Sequence, residues 1–237
     1  MIITYNEKSK KFFKRSLIAI LIMIVIFIIS LIALRYEVEG ENINKMPFII
    51  ESVAVASKID IEKNNDTNNY WNFNPIQIND VYIKIEKNEN KNEKIKSIKI
   101  KNFKIKKSSI GNGKIIPIVN DYTIDNMETI EYKASQVSNL ENLVIGKDGG
   151  TIGFRYIIQD LGNFTSNDEE ITYNMEILEK MGITRENIQT KINFDLIIEQ
   201  ENDINYITNL TIDVPTKEKN IENVDISNII FKRLLQN

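Results

Sequence analysis

The chain has 237 residues, 42% hydrophobic and 27% charged, with a formal net charge of −3, a length and balance sufficient to bury a core. It contains no Cys and no His, and this excludes disulfides, lipid-modified cysteine, thiolate or imidazole metal sites, and nucleophilic machinery built on a histidine base. Nine Gly and four Pro argue against a long flexible stalk, and a lean on Ile, Asn and Lys, residues favoured by AT-rich codons, points to a low-GC bacterial source.

The first fifteen residues form a basic tail with Lys8, Lys10, Lys11, Lys14 and Arg15. From Ser16 to Leu34 the chain reads SLIAILIMIVIFIISLIAL, nineteen residues without a charge. At ~1.5 Å per residue such a helix matches a hydrocarbon layer of about 30 Å. A transmembrane helix is expected over 16–34. The cations precede it while Arg35 is followed by Glu37, Glu39 and Glu41, so the N-terminus is expected in the cytoplasm and the remainder outside. A cleaved signal peptide would end in small residues, but the exit here reads LIALRYEVEG, so the helix is expected to remain as an anchor. A type IV prepilin leader is excluded as well, since KRSLIAILI from Lys14 to Ile22 lacks the defining Gly and Glu. The span has no ionisable side chain and no G-x-x-x-G motif, which fits a tether and not an ion path.

Residues 35–47 read as a polar juxtamembrane linker, and 48–237 as an extracytoplasmic β-domain, with a split into two domains near 120–128 as the alternative. Period-2 stripes predict strands with one buried face: Val53, Val55, Ile59 and Ile61; Val81, Ile83 and Ile85; Ile152, Phe154, Tyr156 and Ile158. Ile192 to Ile198 and Tyr206 to Val214 predict a hairpin around Glu201-Asn202-Asp203, and Gly146 to Gly150 a second one. Between Ile100 and Phe103 the alternation slips phase, predicting a bulge near Lys101 and Asn102. Pro117 cannot donate to a ladder and assigns its strand to an edge. Within the β-domain, helix is expected only over Met175 to Met181 and, capped by Thr184, over Arg185 to Ile188. The expected fold is mainly β: an N-terminal transmembrane helix followed by an antiparallel β-sandwich of immunoglobulin-like type.

The strongest local departure in charge is the run from Lys84 to Lys107, with ten Lys against Glu86, Glu89 and Glu93, net +7. Lys99, Lys101, Lys104 and Lys106 are the candidate site, a ribbon that would hold an anionic wall polymer or lipid headgroups. The plainer reading is that lysines solvate an exposed strand and block edge-to-edge pairing. Trp71, within Tyr70-Trp71-Asn72-Phe73, is either a stacking platform or, more simply, core. Asp168, Glu169 and Glu170, or Glu199 and Glu201, lack the spacing and glycine of a calcium loop. N-x-[ST] matches start at Asn65, Asn163 and Asn209, in a chain rich enough in Asn to give them by chance. No phosphate-binding loop, dinucleotide fingerprint or DNA-reading helix is present, and no Ser-Met-Pro motif of a signal peptidase. These readings predict a non-enzymatic binding module with no catalytic residue, metal or cofactor and no nucleic-acid partner. Its partners would be the lipid bilayer through 16–34 and an envelope protein or anionic wall polymer. The alternatives are an accessory subunit of a secretion, division or transport assembly, and an envelope hydrolase using a Ser-Lys or carboxylate pair.

Overall fold

A computed structural model describes residues 7–35, 46–65, 71–89, 91–106, 109–118, 129–134, 145–166, 175–217 and 220–234. Helix α1, Glu7–Arg35, contains the apolar run, and every side chain described from Leu17 to Ser30 is exposed. Among the described residues no helix is long and apolar enough to cross a membrane; the side chains described in α1 stop at Ser30, and the run continues in the sequence to Leu34.

The remainder is mainly β. The strands are β1 (Phe48–Asn65), β2 (Trp71–Lys87), β3 (Ile95–Lys106), β4 (Asn112–Pro117), β5 (Thr129–Lys133), β6 (Ile145–Gly146), β7 (Gly149–Gln159), β8 (Phe164–Ser166), β9 (Thr190–Gln200), β10 (Asn205–Val214), β11 (Ile221–Asn223) and β12 (Lys232–Leu234). Two short helices, α2 (Met175–Lys180) and α3 (Arg185–Ile188), precede β9. The strands form two antiparallel sheets, as expected for a sandwich. The first has the order β11-β1-β2-β7-β4, with β6 on β7 and β8 on β2, and the second has the order β12-β10-β9-β3-β5. Both sheets draw strands from either side of residues 119–128, which themselves lie outside the described residues.

The alternating stripes place one face of each strand inward. Val53, Val55, Val81, Ile83, Ile85, Ile152, Phe154, Tyr156 and Ile158 of the first sheet share one continuous core with Ile98, Ile100, Ile192, Phe194, Leu196, Ile198, Leu210 and Ile212 of the second. Aromatic edges lock the layers: the Phe154 and Phe194 rings meet edge-on at 5.3 Å, and Phe103 meets Phe154 likewise at 5.3 Å. Met46 and Phe48 are buried in the same core, so packing begins just before β1. From the edge of the second sheet, the Tyr132 hydroxyl of β5 donates to the Gly153 carbonyl of β7, an interior strand of the first, and ties the layers a second time. Burial pushes that phenol far above its usual range, so it stays a donor at every physiological pH.

Several local expectations appear as drawn. The β3–β9 register shifts between Lys101 and Lys104, and Asn102 there takes φ 57°, in the left-handed region that Asn tolerates. The strand ending in Pro117 is an edge strand of its sheet. The predicted hairpins are β9–β10 and β6–β7, the latter with Gly149 at φ 127°. Thr184 opens α3, with the Asn187 side chain accepting from the Thr184 N–H at 2.9 Å.

Candidate functional site

The predicted lysines sit on the outward face of the second sheet. Ile98 and Ile100 point into the core, so Lys99 and Lys101 point out; the bulge at Asn102 restores the phase, so Phe103 and Ile105 pack toward the core while Lys104 and Lys106 stay outside. β3 is an interior strand between β9 and β5, not an edge. The β5 ladder covers only Ser97 to Lys101. The edge-protection reading therefore does not describe Lys99 and Lys101.

Lys99 is neutralised in place. Its Nζ lies 2.6 Å from Glu199 Oε1 and 3.8 Å from Glu131 Oε1, and Ser97 Oγ donates to Glu199 Oε2 at 2.7 Å. The hydrogen bond to Glu199 raises the Lys99 pKa, with both neighbouring carboxylates adding to it. Burial alone would raise Glu199, but the bonds from Lys99 and Ser97 outweigh it and hold the carboxyl below its usual range. This Ser, Lys and Glu meet without nucleophile geometry: a Ser-Lys dyad needs a neutral lysine as base, and here the lysine is held protonated while the serine donates to a carboxylate.

Lys101 stands opposite Asp195 in register, but that carboxylate already accepts from Asn102 Nδ2 at 2.7 Å and from Asn209 Nδ2 at 2.8 Å. Asn193 and Asn209 continue a polar ladder across β9 and β10, with Asn193 Nδ2 at 2.8 Å from Thr211 Oγ1. Lys104 stands opposite Asn193, and Lys106 opposite Lys191. Lys191 Nζ lies 3.8 Å from Asp213 Oδ1 on its other side.

Four more lysines of the run are paired, all but one of their partners coming from outside it. Lys84 bridges Glu51 and Glu86, Lys87 and Lys94 share Asp148 at 3.1 and 2.6 Å, and Lys96 reaches Asp203 at 3.4 Å. A run that is net +7 in sequence is thus largely compensated in space, and the four candidates divide: Lys99 is occupied, while Lys104 and Lys106 make no ion pair among the described residues.

The carboxylates at 168–170 lie outside the described residues, as does the Trp71 side chain, whose backbone opens β2 opposite Asn65. Among the described residues no group of three or more acidic side chains is placed to hold a metal. Sequence reading missed two polar arrangements in the first sheet. Asp80, only 6% exposed, takes a two-point grip from Arg155, Nη2 to Oδ2 at 2.7 Å and Nε to Oδ1 at 2.5 Å. Inside the sandwich, Ser57 Oγ donates to Asn79 Oδ1 at 2.8 Å and accepts from the Thr216 N–H at 2.9 Å, and Asn79 Nδ2 donates to the Tyr156 carbonyl at 3.3 Å. The signal for the second was available: Gln77 and Asn79 share the parity of Val81, Ile83 and Ile85, which puts them on the core face. The chain matches no family model, no curated protein and no solved structure.

Proposed function

We propose that the chain is a single-pass, membrane-tethered, non-enzymatic binding module, with its N-terminus in the cytoplasm and its β-sandwich outside the membrane. One observation carries the reading: α1 presents an unbroken apolar surface, from Leu17 to Ile29, with large side chains about half exposed or more. A surface of that extent is unstable in water and is at home in a bilayer. Taken over Ser16 to Leu34 the run is nineteen residues, a length of about 28 Å as helix.

The sandwich is of immunoglobulin-like type in this reading. Its strands β1-β2-β7-β4 take the places of A-B-E-D, and β10-β9-β3-β5 those of G-F-C-C′. The order along the chain is distinctive, because the strand in the D place precedes the one in the C′ place. Such sandwiches present faces, edges and loops for binding while the core carries stability, and the outward polar face bearing Lys104 and Lys106 is the binding surface proposed here. The partner class is an anionic envelope polymer. A second reading, an accessory subunit packed on partner chains, is favoured by Ile221 and Ile230, 63% and 60% exposed near the C-terminal edges of the two sheets.

Full-length chain extracted in mild detergent separates the two. A binding module runs as a single species and captures purified envelope material less well as salt rises; a subunit runs at higher mass with fixed partner chains. Elution with partners and no capture of envelope material would contradict the proposal.

A further inference from the structure

The direction of the strands gives the outer face of the second sheet two unlike ends. Chain entering from α1 has ten residues, 36–45, before Met46, and β1 begins at Phe48 beside the end of β2 at Lys87. The Asn88 N–H donates to the Pro47 carbonyl at 2.9 Å, and Asn88 Nδ2 to the Met46 carbonyl at 3.1 Å, so the start of β3 shares that end. β3 then runs away from it, and from Ile95 to Lys106 it covers about 35 Å at ~3.3 Å per residue.

Ion pairs fill the near end: Lys87 and Lys94 with Asp148, Lys96 with Asp203, Lys147 with Glu201, and Lys99 with Glu199 and Glu131. The far end is different. Lys106 faces Lys191 directly across the ladder, Lys104 faces an amide, and the carboxylate in that row is Asp213, 3.8 Å from Lys191 Nζ, with Asp195 further along already engaged by two amides. Like charges directly opposite are unfavourable alone and become favourable when an anion lies between them. Lysines, as point charges on flexible stems, suit repeated phosphates better than one planar carboxylate.

Resting on the membrane-tethered reading above, we propose that the bilayer-distal end of this face, Lys104, Lys106 and Lys191, is a docking surface for a phosphodiester polymer of the cell envelope. With the bilayer at the Met46 end, about 35 Å of strand separates its headgroups from this site, several times the screening length of about 8 Å at physiological salt, which favours the polymer over the headgroups as ligand.

The test uses the full chain in nanodiscs of neutral lipid, with synthetic poly(glycerol phosphate) as probe over a salt series. Wild type binds; Lys104→Gln with Lys106→Gln and Lys191→Gln lowers affinity at least about tenfold and flattens the salt slope by about two to three. Lys87→Gln with Lys94→Gln and Lys96→Gln removes the same charge from the near end and changes affinity less than about twofold. Discs of anionic lipid leave wild-type affinity unchanged. No binding, equal loss from both triple variants, or marked weakening in anionic discs overturns the proposal. Failure of the chain to enter discs counts against the tether, whereas entry without polymer binding counts against this site alone.

Discussion

Glu199 shows how a surface carboxylate is put to structural use. It accepts from Ser97 and Lys99 at once, with its side chain 20% exposed and that of Lys99 28%. Its folded pKa lies below the 4.5 of a free glutamate, so its contribution to stability is complete above that value and is lost as pH falls through the folded one. Lys99 has the opposite sign: raised above 10.5, it contributes below that pH and loses the contribution as pH rises through its folded value. Glu199→Gln should cost about 1 kcal/mol at neutral pH and flatten the acid limb of the stability curve below the free-glutamate value, measured by urea unfolding from pH 3 to 7. An unchanged acid limb would remove Glu199 from the account. At Asp80 the stakes are higher, because Asp80→Ala leaves Arg155 without its two-point partner. A loss of about 2–3 kcal/mol is expected by the same measurement, well above that of an exposed pair. Neither partner was legible in sequence, since Lys99 finds Glu199 one hundred positions away and Asp80 finds Arg155 seventy-five away.

Among elements, β3 carries both fold and face. Its phase slip is readable because Ile98 and Ile100 must share a core with Phe103 and Ile105, and the even number of residues between the two pairs, Lys101 and Asn102, leaves a bulge as the solution. Asn102 takes the left-handed backbone there and spends its amide on Asp195. Asn102→Ile should cost about 2–3 kcal/mol, combining the steric penalty at positive φ with the lost hydrogen bond, and Asn102→Gly should cost less; thermal unfolding of the two variants gives the order. The reverse order would mean that the bulge is not what sets the phase of Lys104 and Lys106. Pro117 was equally legible, since a residue without an N–H has few places in a sheet. Strand β5 as neighbour of β3 was not, because short strands carry too little alternation to name their partners.

For the whole molecule, alternation along the chain was enough to read a two-layer β-fold, since stripes on strands of both sheets have nowhere to go but against each other. Strand order was not readable, and neither was the distribution of charge: the +7 run is basic only along the chain, and folding brings Asp148, Asp203, Glu131 and Glu199 onto it. The proposed bilayer-facing role of α1 and the proposed binding role of the distal lysines depend on one another, because the polarity of β3 has a biological meaning only if the chain is anchored at the Met46 end. Absence of cysteine makes that anchoring directly measurable, since single cysteines can be placed at Lys10 and at Ser109 in the full chain. Cells expressing each variant would be treated with a membrane-impermeant maleimide before and after permeabilisation, and the membranes then extracted with alkaline carbonate. The account predicts that the chain stays in the membrane pellet, that S109C is labelled on intact cells, and that K10C is labelled only after permeabilisation. Release into the carbonate supernatant, or labelling of K10C on intact cells with S109C protected, would contradict it.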